Sequence, residues 1–266
     1  MDCKRMSYPR VDLLGVHISA INMPQALEVI DGWVRQRQAH YVCVTSAHVV
    51  MEAYDHPELK EVFNSSGLTT PDGMPLVWWL RAHGQRQVDR VYGPDLMLSV
   101  CRYGLDKGYR HFFYGGIPGV AGALAASLAA RFPDIKVAGS YTPPFRDLTP
   151  EEESEVAAQI QACEADIVWV GISSPRQDLW MKDHVGRLSA PVLIGVGAAF
   201  DFLSGHKRQA PRWIQRSGFE WLFRLVQEPR RLWRRYLLSY PRFVFLVAHQ
   251  RLMEIFASRV KVFFRG

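Results

Sequence analysis

The sequence has few of the signatures that would assign it a chemistry at once. Its four cysteines, Cys3, Cys43, Cys101 and Cys163, are scattered without a CxxC pair. That spacing argues against a disulfide framework or a zinc site and fits a reducing cytosol. No HExxH, GxSxG or Walker sequence occurs, so metal-dependent hydrolysis, serine hydrolysis and ATP use have no positive support. The dinucleotide fingerprint is missing too: YGGIPG (114–119) lacks the GxGxxG spacing, and GVGAAF (195–200) fails at Phe200. A nucleotide-dependent oxidoreductase is disfavoured for that reason. Long apolar runs are also lacking. FVFLVA, the longest near the C-terminus, is far short of the roughly 20 residues that a spanning helix needs. The opening MDCKRMSYPRVDLLG has no signal-peptide core, so a cytosolic chain is expected.

What the chain does contain is an ordinary globular composition, 48% hydrophobic and 22% charged over 266 residues, enough for a large core. Its net charge of +6 is unevenly spread: from Leu203 onward 14 Lys and Arg face 3 Asp and Glu, a net of +11 that leaves −5 for the rest. A mildly acidic body with a basic tail points to anionic lipid, nucleic acid or a phosphorylated substrate, unless the tail is simply a solvated face.

Up to about Phe202, strand-like and helix-like segments alternate. HYVCVT (40–45), RHFFYGG (110–116), IKVAG, DIVWVGI and PVLIGVG read as strands, several continuously apolar as in a parallel sheet covered on both faces. Between them, His56–Asn64 reads as a short helix, and an alanine-rich helix with Pro118 in its first turn runs to about Arg131. Thr149, Pro150 and Glu152 spell a capping box at the clearest helix start. The alternation predicts an α/β fold, a doubly wound, Rossmann-like and mainly parallel sheet, over residues 1–202. Residues 203–266 lack strand-like runs and interleave aromatic and aliphatic side chains with arginines. They are expected to form a basic helical appendage broken near Pro229 and Pro241. Such helices lie at a membrane interface or pack on the core, and the two are compatible.

Ligands of open α/β sheets bind beyond the carboxyl ends of the strands, so the loops there are the places to search. Asp72 in TTPDGMP follows a short strand, although a simple turn explains Pro-Asp-Gly equally well. Arg90 precedes a Tyr-Gly-Pro turn in DRVYGPD. The glycines of YGGIPG, Gly115 and Gly116, open a helix whose backbone N–H groups can hold a phosphate. In GISSPRQDLWM, Ser173 and Ser174 precede a helix start where Arg176 and Gln177 could meet a phosphate, and an ordinary Ser-Ser-Pro helix start is the competing explanation.

In order along the chain, TPDGMPLVW, DRVYGPDLM, FFYGG, VGISSPRQDLWM, GVGAAFDFLSGHKRQAPRW and GFEWLFRLVQEPRRLWRR resemble the WecG/TagA/CpsF family of bacterial glycosyltransferases, from about Val11 to Arg235. The resemblance implies an inverting transferase acting in cell-surface polysaccharide synthesis. Its donor would be a UDP-sugar, its acceptor a polyprenyl-diphosphate-linked saccharide, and no metal or other cofactor is expected. It places the general base on Asp72, substrate positioning on Thr45, and contacts to the donor and its diphosphate on Arg90 and Gln177. The appendage would bring Arg224, Arg231 and Arg234 to the site and dock on the cytoplasmic membrane face; its exposed aromatics could also pair copies into a homo-oligomer off the membrane. One departure stands out: many members carry Asn two residues after the threonine, whereas TSAHVV here supplies Ala47 and then His48. His48 is either a substitute polar contact or a structural histidine at a strand end. The alternative from another class, a basic nucleic-acid-binding α/β protein, explains the tail but leaves the Asp72, Arg90 and Gln177 loops without a purpose.

Overall fold

The computed structural model describes residues 8–263, so Cys3 lies outside; Cys43, Cys101 and Cys163 are free thiols. The chain opens with an antiparallel hairpin, β1 (Arg10–Leu13) and β2 (Val16–Ser19). Helix α1 (Met23–Gln36) follows, started by a capping box in which Asn22 accepts from the Gln25 amide and Gln25 accepts in return. The hairpin is too brief to carry a strong pattern, whereas α1 buries Ala26, Val29, Ile30 and Val34 at helical spacing; neither is among the elements assigned above.

The rest of the body alternates as expected: β3 (His40–Thr45), α2 (Ala47–Asp55), α3 (Pro57–Asn64), β4 (Leu68–Pro71), α4 (Met74–Ala82) and α5 (Gly93–Tyr103). Then come β5 (Arg110–Gly115), α6 (Val120–Arg131), β6 (Lys136–Tyr141), α7 (Pro150–Ala162), β7 (Ile167–Gly171), α8 (Arg176–His184), β8 (Val192–Gly195) and α9 (Ala199–Leu203). The Thr149–Glu152 capping box forms as read. Pro118 does not enter the first turn of α6: Gly119, at φ +88°, turns the chain first and the helix begins at Val120.

The strands form one six-stranded parallel sheet in the order β4-β3-β8-β7-β5-β6. Alternate residues of each inner strand enter opposite cores. Tyr41, Cys43, Val168, Val170 and Leu193 pack with α2, α3, α4 and α8. Val42, Val44, Ile167, Trp169, Val192 and Ile194 pack with α1, α5, α6 and α9. This two-sided burial is why these strands read as continuous apolar runs. All six strands point their carboxyl ends to one edge, which fixes where the loops converge.

After α9, which spans residue 202, come α10 (Arg212–Ser217), α11 (Glu220–Gln227) and α12 (Pro229–Trp233). The break at Pro229 occurs as expected. At Pro241 the helix is not interrupted: a π-helical turn at Arg234–Leu238 leads straight into α13 (Ser239–Phe263). Proline has no N–H for the carbonyl one turn earlier, and a widened turn stands where that bond is missing. The last helix is fastened to the body by Arg242 to Asp55 at 2.7 Å, His83 to Glu254 at 2.8 Å and Gln250 to Asp12 at 2.9 Å. Leu232, Tyr236 and Phe243 are buried, so part of the apolar stripe does pack on the body. Among the described residues no helix is long and apolar enough to cross a membrane.

Candidate active site

Two cavities adjoin at the carboxyl edge of the sheet. The larger, about 270 Å³, is walled by the loops after β5, β7 and β8, by the 143–145 loop and by Arg224 and Arg231. The smaller, about 70 Å³, lies between the starts of α2 and α4 and the C-terminal helices. Asp72, Ser46 and Arg224 line both.

Asp72 is held there by the sheet. The Asp72 N–H donates to the Thr45 carbonyl at 2.9 Å, and the Val91 N–H donates to the Pro71 carbonyl at 2.9 Å, so the turn after β4 is pinned from two sides. The Asp72 carboxylate accepts the Gly93 N–H at 3.3 Å. Arg90 donates through Nε to the Asp72 carbonyl, and its Nη2 lies 2.6 Å from Glu220 Oε2 and 4.0 Å from Asp72 Oδ1. Its guanidinium stacks 4.0 Å from the Tyr92 ring centroid, and the Tyr92 hydroxyl donates to Glu220 Oε1 at 3.1 Å.

These surroundings set the charges. Burial pushes the Asp72 carboxyl up to about 6 and Glu220 adds to the shift, while Arg90, the Gly93 N–H and Arg224 pull it back. Burial alone would lower the Arg90 guanidinium, but the Asp72 and Glu220 carboxylates outweigh it and hold it above its usual value. A carboxylate ionising near neutrality at a cavity wall is suited to accept a proton.

The larger cavity gathers most of the residues expected around a donor: Gly116, Ser174, Gln177, Arg224 and Arg231 all line it. Gly115 lies directly beneath. Its φ is +139°, and a Cβ there would come within 2.6 Å of the Gly171 carbonyl, so glycine lets β5 and β7 close up under the loop. Gln177 is 2% exposed; its Nε2 donates to Ser174 Oγ at 3.1 Å, and its Oε1 has no hydrogen-bond partner among the described residues. A buried acceptor left open at a cavity wall is costly unless a ligand supplies a donor.

Arg90 lines the smaller cavity instead, with His48 beside it. His48 lies 3.6 Å from Glu52 one turn along α2, so it combines a cavity position with a local structural contact. Two expected residues are placed elsewhere. Thr45 is fully buried, lines neither cavity and donates its hydroxyl to the Cys43 carbonyl at 3.2 Å; its backbone carbonyl, not its side chain, serves the site. Arg234 is exposed and lies over Trp233 at 5.2 Å, outside both cavities, at the start of the π-turn.

Several lining residues escaped the sequence analysis. Asp201 and Lys207, 3.0 Å apart, face the larger cavity, and Glu220, Trp221, Tyr236 and Tyr240 face the smaller. The three aromatic rings cluster with centroids 5.3–5.9 Å apart. The GFEWLFR string was the only signal for Glu220 and Trp221, and nothing in it says that they face inward. Among the described residues no group of three or more His, Cys, Asp or Glu converges as a metal site would require.

Two cavities thus meet at the carboxyl edge of a parallel sheet, with one carboxylate on the shared wall and arginines on both sides. Comparison with known proteins defines the class. The glycosyl transferase WecG/TagA/CpsF family model matches residues 11–255, and the chain belongs to that family. Among its relatives is the N-acetylglucosaminyldiphosphoundecaprenol N-acetyl-beta-D-mannosaminyltransferase of Bacillus spizizenii, 30% identical over 220 residues, covering 82% of this chain and 83% of the relative. The protein of the same name from Bacillus subtilis is 26% identical over 234 residues, covering 85% and 89%. The chain is thus a glycosyltransferase, a hexosyltransferase by its relatives, and the fold, family and activity class implied by its motifs hold.

Proposed function

We propose that the protein transfers a hexosyl group from a UDP-sugar to a polyprenyl-diphosphate-linked saccharide, with inversion and with Asp72 as the base. The observation that carries this is the position of Asp72 on the wall shared by two cavities. The donor would occupy the larger one, where the open Gln177 Oε1 can accept from the nucleotide or sugar and the Gly116 turn, Arg224 and Arg231 face a diphosphate. The acceptor sugar would enter the smaller one, against Trp221, Tyr236 and Tyr240.

In the transfer, an acceptor hydroxyl attacks the anomeric carbon from the face opposite the diphosphate. The new C–O bond forms as the bond from that carbon to the β-phosphate oxygen breaks, the hydroxyl proton passes to Asp72, and UDP leaves with the bonding pair. The developing charge on UDP is met by arginines and backbone N–H groups, without a requirement for a metal. The names of the relatives suggest N-acetylglucosaminyl-diphosphoundecaprenol as the first acceptor to try and N-acetylmannosamine as the first sugar.

Residues 203–266 would act as an appendage that closes the site and rests on the cytoplasmic membrane face. Val244, Phe245, Leu252, Met253 and Phe256 on α13 are exposed among arginines, a surface suited to an anionic interface. Vesicle flotation tests this attachment, and sedimentation with and without detergent tests whether the same face pairs two copies.

The deciding experiment is UDP release from a panel of UDP-sugars, with and without the lipid-linked acceptor, for wild type and Asp72→Asn. Release that needs one sugar and the acceptor together, and is lost in the variant, supports the reading. Release that survives in Asp72→Asn removes the base.

A further inference from the structure

Glu220 has no part in the scheme above, yet it is the most tightly engaged carboxylate beside the shared wall. It arrives from α11, on the C-terminal side of the molecule, and reaches into the turn that carries the base. One oxygen meets Arg90 Nη2 at 2.6 Å and the other accepts from the Tyr92 hydroxyl at 3.1 Å, with both partners of the ion pair under 15% exposed. Arg90 in turn holds the Asp72 carbonyl through Nε and the Gln215 carbonyl at 3.4 Å through Nη1. A shielded pair of this kind is strong only while both members stay in register, because loss of either leaves a buried charge alone.

We propose that Glu220 is a positioning residue for the transfer: carried in by α11, it fixes Arg90 and Tyr92 against the Asp72 turn, so that the base is set for its task only while the C-terminal helices are seated. This rests on the assignment of Asp72 as the base. The charge logic follows from the surroundings. Asp72 is faced by Arg90 and Tyr92 on the 90–92 stretch, by Glu220 and Arg224 on α11, and across the smaller cavity by His48, which is paired with Glu52 on α2. Of these, Glu220 is the negative charge acting on Asp72, and it also draws the Arg90 guanidinium away from Asp72. Remove that charge and Asp72 loses a repulsion while Arg90 becomes free to approach it. Both changes make the carboxylate a weaker base.

The test is the pH dependence of kcat/KM for UDP-sugar and lipid acceptor in wild type, Glu220→Gln, Glu220→Asp and Tyr92→Phe, with Asp72→Asn alongside. Glu220→Gln is expected to move the acid limb down by about half a pH unit or more and to lower kcat above the limb. Glu220→Asp, which keeps the charge, should restore the limb. Tyr92→Phe releases one of the two holds without touching the Arg90 pair and should lower kcat with a smaller shift; it serves as the test if Glu220→Gln does not fold. Folded variants whose acid limb and kcat both match wild type would overturn the proposal. An active Asp72→Asn enzyme with an unchanged limb would instead overturn the assignment of the base, which separates the two failures.

Discussion

The two cavities are built differently. The larger is made mainly from the ends of the sheet and their loops, with Lys207, Arg224 and Arg231 added from the C-terminal side. The smaller is half sheet and half C-terminal helix, its outer wall supplied by Gln215, Glu220, Trp221, Tyr236 and Tyr240. A substrate common to a whole chemistry suits the rigid half. A substrate that comes from a membrane suits the half whose wall belongs to the helices with the exposed apolar face. The difference teaches that binding and catalysis can be separated along the chain, and mutations should separate them.

The largest effect should come from the shared wall. Asp72→Asn is expected to lower kcat by roughly 10²–10⁴-fold, the usual worth of a general base, while isothermal titration still shows UDP binding. Retained binding with lost turnover sharpens the division, and lost binding breaks it. Arg224→Ala touches both cavities and should cost about 10–100-fold in kcat/KM for either substrate, in line with a charge-assisted contact. Single-cavity changes should be smaller and one-sided. Gln177→Ala is expected to raise KM for the donor by roughly 3–10-fold, and Trp221→Ala to raise KM for the acceptor by a similar factor; crossed effects in initial-rate kinetics would break the comparison.

The pH dependence follows from the same wall. If Asp72 is the base, it works deprotonated, and with its carboxyl pushed up to about 6 kcat/KM should rise with pH through that value and level off above it. The effect on stability runs the other way. A carboxyl with a folded-state value above its unfolded one favours the fold when protonated, so its contribution is lost as pH rises from about 4 to about 6. Asp72→Asn should therefore melt no lower than wild type at pH 8, with the gap narrowing below pH 4. The smallest effect is expected at Thr45→Val: about 1 kcal/mol of stability for the hydroxyl bond to Cys43, and kcat within about twofold.

The parallel sheet was legible because burial on both faces leaves unbroken apolar runs such as IVWV, and the Thr149 cap because its partners are three residues apart. The β1–β2 hairpin was not, since its pattern is brief and its burial one-sided. Asp72, Gln177 and Gly116 could be picked out as cavity-lining candidates because they follow strands, where ligands of such sheets bind. Thr45, expected to position substrate, meets the Asp72 turn through its backbone carbonyl while its side chain is buried. Arg234, expected at the site from its place in the motif, lines neither cavity, and no local pattern distinguishes it from Arg231. Glu220 was invisible as a site residue: its partners Arg90 and Tyr92 lie about 130 positions away in the chain, and no local pattern records so long a contact.

The bond from the Asp72 amide to the Thr45 carbonyl extends the β3–β4 ladder one rung beyond the strand. The Asp72 backbone is therefore held by the strand ladder, although the residue stands in the turn after the edge strand β4. Its amide hydrogen should exchange only when the β3–β4 pairing opens. If Asp72 is the base, its backbone is set once the chain folds, and what each turnover still arranges is the C-terminal helices around it and the substrates.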